Sequence, residues 1–366
     1  MRTLILTCNT GEGHNSSAYA IQEIYQLNGE FCEICDSLGF LSKRISKFIG
    51  KSHANIYRHT PKVFDKGYAL SEKYDSIFAE GSFLYRLLAF GTKRLYRYVV
   101  NFGIDNIICV HPFSAIMVTE MCSLYNLKIK TSIVSTDYTC APGVNCSDVD
   151  IYFIPHSRLV DDFVVCGIPK DKIKPSGIPV KQCFIKERSK EYARDTLSLP
   201  YDKKIIVMCC GSMGAGPIEK VSIELEKKLS DNDMLIIICG SNTHLYNKLL
   251  PCASEKVKIV GYTRQMCDYM AACDLFMTKP GGISITEASL MRVPMFFVKA
   301  VAGCELRNRE FFDKLRCAKI IEHNDDLAEE AIKLLYSDNE LSALRENLRS
   351  EFGSNAAQYI YDTLSK

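Results

Sequence analysis

The sequence lacks the long uncharged hydrophobic run that a membrane-spanning helix needs, roughly 18 residues or more. It also lacks a hydrophobic leader, since Met1–Leu6 runs directly into a predicted strand, and we therefore expect a cytoplasmic protein. Its charge is nearly balanced at a formal +2, which gives no argument for nucleic acid as a partner. With 366 residues, the chain is too long for one ordinary core and predicts two domains.

A metal or disulfide framework is also missing, although the chain has 17 cysteines. Several of them, such as Cys209 and Cys210, lie inside apolar runs, which is typical of buried thiols in a reducing compartment. Cys32 and Cys35 form a Cys-x-x-Cys pair without a second pair at zinc-site spacing. The triplet Asp148–Asp150 precedes a predicted strand instead of following one. We interpret both motifs as structural and predict no metal site.

Short apolar runs alternate with helical patterns, as in βαβ units. In the first half the predicted strands are Thr3–Thr7, Asn106–His111, Thr131–Thr136 and Ile151–Pro155, and the predicted helices are Asn15–Leu27 and Pro112–Asn126. In the second half the predicted strands are Lys204–Cys210, Met234–Gly240, Val257–Tyr262, Leu275–Thr278 and Pro294–Lys299. Near-continuous apolar strands indicate parallel sheets that are buried on both faces. The pattern predicts an α/β protein with two Rossmann-like, doubly wound domains.

The segment Ile173–Val180 contains Gly177 and two prolines, which indicates a domain boundary. We therefore predict a first domain over residues 1–178 and a second over residues 179–366. Open α/β sheets bind ligands at the carboxyl ends of their strands, so we expect the working site in a cleft between the domains. The last predicted helix, Asn355–Leu364, is expected to pack back on the first domain.

The loop Cys8–His14 leaves the first predicted strand and enters a helix, where backbone N–H groups approach a ligand. Gly13 is therefore a candidate ligand-binding residue. Ser16 stands where a dinucleotide fingerprint requires its third glycine, so the signal for NAD is weak. His14 is either a polar residue at the helix start or a general base that works near neutral pH.

A carboxylate follows another predicted strand of the first domain, in the run Ser135–Asp137. Asp137 either holds a turn, or it orients His14 and stabilises the charged form of its imidazole. Both interpretations place Asp137 at the carboxyl edge of the sheet.

The segment Lys279–Ala288 reads as strand, glycine turn and helix, an arrangement that receives a diphosphate through backbone N–H groups. Pro280, Gly281, Gly282 and Ser284 are the candidate residues around the diphosphate. We expect Glu287 in the first helical turn, where a carboxylate interacts well with the helix dipole and can also accept both hydroxyls of a ribose.

Two further loops are candidates for a nucleotide-sugar pocket. Gly211, Ser212 and Gly214 lie in a glycine-rich loop that either allows close approach to phosphate and sugar or is simply a flexible connection. Glu305 and Asn308 begin a helix, where they either bind sugar hydroxyls or form an ordinary solvated face.

Together these motifs resemble the monogalactosyldiacylglycerol synthase and processive diacylglycerol glucosyltransferase family, which is related to the peptidoglycan lipid-intermediate N-acetylglucosaminyltransferase. The matching residues extend over nearly the whole chain and are Gly11–His14, Thr136–Asp137, Asp150–Pro155, Gly177–Val180, Gly261–Tyr262, Lys279–Gly282, Thr286–Ala288, Gly303–Glu305 and Asn308. The chain departs from the family pattern in having no histidine between Asp137 and His156, and Cys304 where the family has glutamine.

The resemblance implies a GT-B fold, a UDP-sugar donor on the second domain, a lipid acceptor on the first, and inversion at the anomeric carbon without a metal or other cofactor. By position, His14 would be the general base, assisted by Asp137. The implied donor contacts are the Gly281–Gly282 turn for the diphosphate, Glu287 for the ribose, the backbone near Tyr262 for the uracil, and Glu305 with Asn308 for the sugar.

Residues 41–100 contain 12 Lys and Arg against four Asp and Glu. Aromatic residues such as Tyr57 and Phe64 are interleaved with these charges. The stretch Phe83–Val99 suits a helix on an anionic membrane surface, although a solvated face on core helices remains the alternative. Its basic residues are Arg86, Lys93, Arg94 and Arg97. We expect peripheral association with the inner face of the cell membrane.

The predicted function is therefore inverting transfer of a hexose from a UDP-sugar to a membrane lipid, diacylglycerol, to form a glycolipid. Two alternatives stay open at this point. One is an enzyme like UDP-N-acetylglucosamine 2-epimerase, which uses a related fold without a lipid. The other is a nucleotide-sugar-binding protein that has lost catalysis.

Overall fold

The computed structural model describes residues 1–8, 12–59, 77–298, 303–321 and 326–366; of residues 51 and 53–59 it describes the backbone alone. The described chain forms two compact units. The first contains Met1–Gln182 and Ser354–Lys366, and the second contains most of the chain between Cys183 and Gly353. The first unit extends past the predicted boundary at 178, because the carbonyl of Pro179 accepts a hydrogen bond from the Ser17 hydroxyl and the N–H of Gln182 donates one to Glu23, both at 3.1 Å.

The described residues of the first unit form six parallel strands. They are β1 (Arg2–Thr7), β2 (Phe31–Asp36), β3 (Asn106–Cys109), β4 (Lys130–Val134), β5 (Ile151–Ile154) and β6 (Ile173–Pro175). The α-helices described before the boundary are α1 (Glu12–Leu27), α2 (Lys43–His59), α3 (Phe83–Ala89), α4 (Thr92–Phe102), α5 (Pro112–Tyr125) and α6 (Val160–Val165).

The strand order of the first sheet is β2-β1-β3-β4-β5-β6. After β1 the chain moves to β2 on one side, and β3 then pairs with β1 on the other side. The order therefore reverses between β1 and β3, and open parallel sheets bind ligands at the carboxyl ends of the strands at such a point.

In the second unit, the part of the chain that the structure describes also forms six parallel strands. They are β7 (Lys204–Cys209), β8 (Asp233–Ile238), β9 (Val257–Val260), β10 (Leu275–Thr278), β11 (Met295–Phe297) and β12 (Lys319–Ile320). Its described α-helices are α7 (Lys190–Leu197), α8 (Ile218–Glu226), α9 (Thr243–Leu249), α10 (Met266–Ala272), α11 (Gly282–Leu290), α12 (Cys304–Lys314), α13 (Leu327–Leu335) and α14 (Asp338–Glu351).

The strand order of the second sheet is β12-β11-β10-β7-β8-β9, which is the Rossmann arrangement, and it reverses between β7 and β10. Buried residues such as Ile206, Leu235 and Met277 come from adjacent strands and pack with residues of the covering helices. The predicted architecture of two doubly wound parallel sheets is thus confirmed.

The last helix, α15 (Ala356–Leu364), belongs to the first unit. Its residues Ile360 and Leu364 are buried in one core cluster with Ile21 and Tyr25 of α1. Asn355 caps the helix, since its side chain accepts a hydrogen bond from the N–H of Gln358 at 3.2 Å.

Three strands were not predicted, and each has a physical reason. β2 is an edge strand that is largely half-buried and carries charged residues, so its apolar pattern is weak. β6 and β12 have only three and two residues.

The stretch Phe83–Val99 is not one helix, because α3 ends at Ala89 and α4 begins at Thr92, with Gly91 between them. A Cβ atom at Gly91 would lie 2.9 Å from Cε of Met117 on α5, so close packing fixes this corner.

Among the described residues, no helix is both long enough and apolar enough to cross a lipid bilayer.

Candidate functional site

Loops after three neighbouring strands of the first sheet converge on one imidazole. His14 lies in the first turn of α1, the helix after β1. Its Nδ1 atom lies 2.7 Å from the carbonyl oxygen of Val110 and 3.0 Å from the hydroxyl oxygen of Thr136. Val110 directly follows β3, and Thr136 lies just beyond β4. His14 therefore lies at the switch point of the first sheet.

The partners of His14 determine which nitrogen carries the proton in the neutral ring. A backbone carbonyl only accepts hydrogen bonds, so Nδ1 must donate its N–H to Val110. The neutral imidazole then has its lone pair on Nε2, and Nε2 is the atom that can take up a proton. A half-buried imidazole whose orientation is fixed in this way has the arrangement of a general base.

Asp137 lies next to this group of residues and is half-buried. Its backbone carbonyl accepts a hydrogen bond from the N–H of Thr139 at 2.8 Å, which forms a turn after β4. The side-chain hydroxyl near Nδ1 of His14 comes from Thr136. The assisting role of Asp137 stays a prediction, and Thr136 is a site residue to which the sequence analysis gave no role.

Gly13 also lies in the first turn of α1, where its N–H group is one of the donors at the helix start. Gly11 and the two residues before it, which belong to the same predicted loop, lie outside the described residues. The ligand-binding role of Gly13 stays a prediction.

The switch point of the second sheet brings together two glycine-containing loops, one after β7 and one after β10. A Cβ atom at Gly211 would lie 3.2 Å from Cε of Lys279, so the two loops are in close contact. Both loops are predicted from the sequence as parts of a nucleotide-sugar pocket, and the structure places them side by side.

The loop after β7 is locked to the loop after β8. The carbonyl oxygen of Ser212 accepts a hydrogen bond from the Ser241 N–H at 2.8 Å, and the amide of Asn242 donates to the Gly214 carbonyl at 3.0 Å. Gly214 and Gly240 have φ angles of 56° and 58°. A Cβ atom at Gly240 would lie 2.3 Å from the Ser212 carbonyl oxygen, so only glycine allows this approach. These contacts argue against a loosely held connection.

The turn after β10 leads into the start of α11. Gly281 is the N-cap residue, and it has no side chain that could cap the helix. The first-turn N–H groups of Gly282, Ile283 and Ser284 therefore face the helix start together with the positive end of the helix dipole. This is the geometry that attracts a phosphate or another anion.

Glu287 lies in the second turn of α11, not in the first turn as predicted, because the helix begins at Gly282. The side chain is half-buried. Burial, and to a smaller extent the negative charge of Glu287, raise the pKa of the Cys209 thiol to about 12. Because Cys209 ends β7, this coupling places Glu287 near the switch point. Cys209 stays protonated and is not a nucleophile at neutral pH.

The turn after β10 is held by one ion pair and by a hydrogen bond from a side-chain amide. Nζ of Lys279 lies 2.6 Å from Oε1 of Glu305, and only 11% and 10% of the two side chains are exposed. The amide of Asn308, which is fully buried, donates to the carbonyl of Pro280 at 2.9 Å. The start of α12 therefore holds the turn after β10. Direct contact of Glu305 or Asn308 with a sugar stays a prediction.

Tyr262 lies beyond β9, which is an edge strand of the second sheet, and 68% of its surface is exposed. The strand β8 lies between β9 and β7, so the structure does not group Tyr262 with the two glycine loops. Its predicted place near a uracil stays a prediction.

The motifs interpreted as structural have structural contacts. Oδ2 of Asp150 accepts hydrogen bonds from the N–H and the hydroxyl of Thr131, both at 2.8 Å, and Asp148 pairs with Lys172. Cys32 and Cys35 lie on β2, where residues three apart point to opposite faces. In the part of the chain that the structure describes, no group of three or more His, Cys, Asp or Glu side chains could hold a metal ion.

Three supporting residues were missed by the sequence analysis. His111 caps α5, Asn242 links two loops of the second sheet, and Lys279 pairs with Glu305. Each of these residues lies directly after a strand or a few residues beyond one, and this position is the signal that could have identified them.

Comparisons with known proteins divide the chain at a similar place. Residues 14–180 match the family model of monogalactosyldiacylglycerol (MGDG) synthase, and residues 205–359 match the glycosyltransferase family 28 C-terminal domain. A processive diacylglycerol beta-glucosyltransferase of Bacillus licheniformis is 26% identical, with 98% of this chain and 92% of that protein aligned. The enzyme of the same name from Bacillus subtilis is 25% identical, with 100% and 95% aligned.

Solved structures confirm the predicted GT-B fold class. MurG of Acinetobacter baumannii superimposes with a TM-score of 0.61 and 14% identity, over 100% of this chain and 99% of that one. Alr3699/HepE of Anabaena in complex with UDP gives a TM-score of 0.59 and 12% identity, over 100% of both chains. UDP-GlcNAc 2-epimerase of Neisseria meningitidis bound to UDP-GlcNAc gives 0.66 and 13%, also over 100% of both.

The contact between the loops after β7 and β8 can be tested with two matched substitutions. Gly29 has a φ of 70°, and no atom lies within 4 Å of the position that a Cβ would take. Gly29→Ala should therefore lower the free energy of unfolding by about 1 kcal/mol, through backbone strain alone. Gly240→Ala adds a clash with the Ser212 carbonyl oxygen, and we expect a loss of about 3 kcal/mol or more. Calorimetric unfolding of both variants measures the difference. Equal losses would contradict the tight contact between the loops.

Proposed function

We infer that this chain, which belongs to the monogalactosyldiacylglycerol synthase and processive diacylglycerol glucosyltransferase family, transfers a hexose from a UDP-sugar to diacylglycerol with inversion at the anomeric carbon. The observation that carries this proposal is that each sheet has, at its switch point, groups that one half of the reaction needs. The switch point of the first sheet holds an oriented imidazole, and that of the second sheet holds a glycine-lined helix start. The curated relatives match over nearly their full length, which supports the same reaction.

On the first unit, the neutral imidazole of His14 acts as the general base. The acceptor hydroxyl donates its proton to Nε2 while its oxygen attacks the anomeric carbon. The positive charge that forms on the ring is delocalised to Nδ1–H, which already donates to the Val110 carbonyl. The hydrogen bond therefore strengthens as the reaction proceeds, and this is what a preorganised base requires.

On the second unit, the departing group is UDP. As the bond between the anomeric carbon and the diphosphate oxygen breaks, negative charge develops on that oxygen. The first-turn N–H groups of α11 and the dipole of the helix stabilise this charge. The loop from Gly211 to Gly214 approaches the diphosphate from the side of β7, and Glu287 accepts the hydroxyls of the ribose. In this proposal no metal ion is needed to neutralise the leaving group.

The base can be tested by replacing His14. His14→Ala should lower the transfer rate about 100- to 10,000-fold, because general base catalysis contributes that much. UDP affinity, measured by calorimetry, should stay unchanged, since the proposed nucleotide site lies on the other unit. His244→Ala is the control, because His244 is an exposed residue of α9. Chromatography of labelled glycolipid gives the rate.

Full activity of His14→Ala would refute the assignment of the base. If the native chain itself forms no glycolipid, the result would favour the epimerase or the non-catalytic alternative.

The ribose contact can be tested with a deoxy ligand. Glu287→Ala should weaken UDP binding about ten- to 100-fold, because hydrogen bonds to a charged group contribute about 1.5–3 kcal/mol. Native protein should bind 2′-deoxy-UDP more weakly than UDP, whereas the variant should bind both equally. Glu224→Ala, near the C-terminal end of α8, is the control. If Glu287→Ala still discriminates the two ligands, the ribose contact lies elsewhere.

A basic and aromatic surface of the first unit supports the membrane part of the proposal. On α4, Leu95 and Val99 are buried, whereas Lys93 and Arg97 are exposed, so the helix has one apolar and one basic face. Phe83, Phe90 and Phe48 are 85%, 80% and 71% exposed. Exposed phenylalanines beside exposed cations are typical of a surface that rests on anionic lipid. The side chain of Tyr57 and residue Phe64 lie outside the described residues.

The corner between α3 and α4 adjoins the start of α2. Nη1 of Arg94 donates to the carbonyl of Leu41 at 2.7 Å, and a Cβ at Gly91 would lie 3.2 Å from the Leu41 side chain. Arg94 therefore also holds the corner against the start of α2. Its contact with lipid stays a prediction. The nearby exposed cations include Lys43 and Lys93.

Vesicle binding tests this surface. The double variant Phe83→Ser/Phe90→Ser should bind vesicles of phosphatidylcholine and phosphatidylglycerol at least about ten-fold more weakly, because burying a phenylalanine contributes about 1.5–3 kcal/mol. Leu27→Ser removes a side chain that is 73% exposed at the end of α1 and should leave binding unchanged. Co-sedimentation measures both. Equal binding of the double variant and the native protein would place the membrane surface elsewhere.

A further inference from the structure

Next to His14 lies a second imidazole that the proposed reaction does not use. The rings of His14 and His111 have their centroids 4.7 Å apart at an interplanar angle of 68°, which is an edge-to-face contact. His111 directly follows Val110, the residue whose carbonyl accepts the Nδ1–H of His14. Two consecutive residues of the β3–α5 junction therefore contact the proposed base, one through its backbone and one through its ring.

The ring of His111 is itself held from two directions. Its Nδ1 atom accepts a hydrogen bond from the N–H of Phe113 at 3.1 Å, so His111 caps α5. Its ring also packs edge to face on Phe113, with the centroids 4.7 Å apart. A side chain that is fixed by a cap and by an aromatic neighbour has little rotational freedom. It can therefore restrict the orientation of a ring that packs against it.

The cap also determines the protonation of His111. Because Nδ1 accepts from a backbone N–H, it carries the lone pair, and the neutral ring has its proton on Nε2. A protonated His111 would place a positive charge beside the positive end of the α5 dipole, which is unfavourable. His111 therefore differs from His14, whose Nδ1 is the donor. The two neighbouring rings have opposite tautomers, and only His14 has the tautomer expected of the base.

We propose that His111 is a positioning residue: its ring, fixed by the cap of α5, holds the His14 imidazole in the orientation that directs Nε2 toward the acceptor hydroxyl. This inference rests on the proposed role of His14 as the base. The Val110 carbonyl sets the tautomer of His14, and the His111 ring sets the plane of its imidazole. Neither function requires His111 to touch the substrate.

Two substitutions separate the ring of His111 from its cap. His111→Asn keeps an oxygen that can accept from the Phe113 N–H, because asparagine is a good N-cap residue, but it removes the ring. His111→Phe keeps a ring for the edge-to-face contact and removes the cap. If the ring positions His14, His111→Asn should lower kcat about three- to ten-fold, the range expected for loss of one aromatic pair. His111→Phe should retain more activity than His111→Asn, and UDP affinity should be native in both variants.

A double substitution tests whether the effect passes through His14. In the His14→Ala background, His111→Asn should cause no further loss of kcat, because there is no imidazole left to orient. A further loss of the same size as in the native background would overturn the proposal. So would native activity of His111→Asn, or a greater loss in His111→Phe than in His111→Asn.

A spectroscopic measurement keeps this inference separate from the proposed function. In long-range ¹⁵N–¹H correlation spectra of the substrate-free protein, His14 should give a single Nδ1–H tautomer with signals shifted by the neighbouring ring. Without the His111 ring the His14 imidazole can turn away from the Val110 carbonyl, so in His111→Asn its signals, assigned by their loss in His14→Ala, should move toward an average of the two tautomers. In His111→Phe they should stay close to native. Unchanged His14 signals in His111→Asn would refute positioning. If the spectra behave as expected but no transfer occurs, the proposed function fails and the ring contact stands.

Discussion

All twelve strands of the two described sheets run parallel to their neighbours, and the placement of every candidate residue depends on this constraint. Parallel pairing brings the carboxyl ends of adjacent strands to the same edge, so residues that are distant in sequence meet there. His14, Val110 and Thr136 lie shortly after three different strands, and they meet because those strands are neighbours. Gly211 and Lys279 of the second unit meet for the same reason.

The candidate sites of the two units are built from different kinds of polar group. The first holds a titratable side chain and fixes its proton with a backbone carbonyl. The second presents backbone dipoles at a helix start, and its cation Lys279 is neutralised by Glu305 within a nearly buried pair. Removing either partner of such a pair would leave an uncompensated charge shielded from water, which strongly destabilises the fold. The ion pair therefore also holds the turn after β10 against α12. Stability and ligand geometry therefore depend on the same contacts.

The sequence predicted the strands that contain long apolar runs and the loops that follow them, because a parallel sheet buries both faces of its central strands. It did not predict β2, whose half-exposed edge carries Glu33 and Asp36. It placed Glu287 one turn too early, because the position of a helix start depends on the cap and not on the apolar pattern. The contacts of Thr136 and His111 could not be predicted, since they require knowledge of which loops are neighbours in space.

The return of α15 to the first unit has a consequence for dividing the chain into its parts. Ile360 and Leu364 belong to the same core cluster as Ile5 of β1, although the second unit separates them along the chain. The apolar interior of the first unit is therefore built from two segments that are distant in sequence. A cut anywhere within the second unit would leave each fragment with only part of that interior, so the first unit needs both of its segments for full stability.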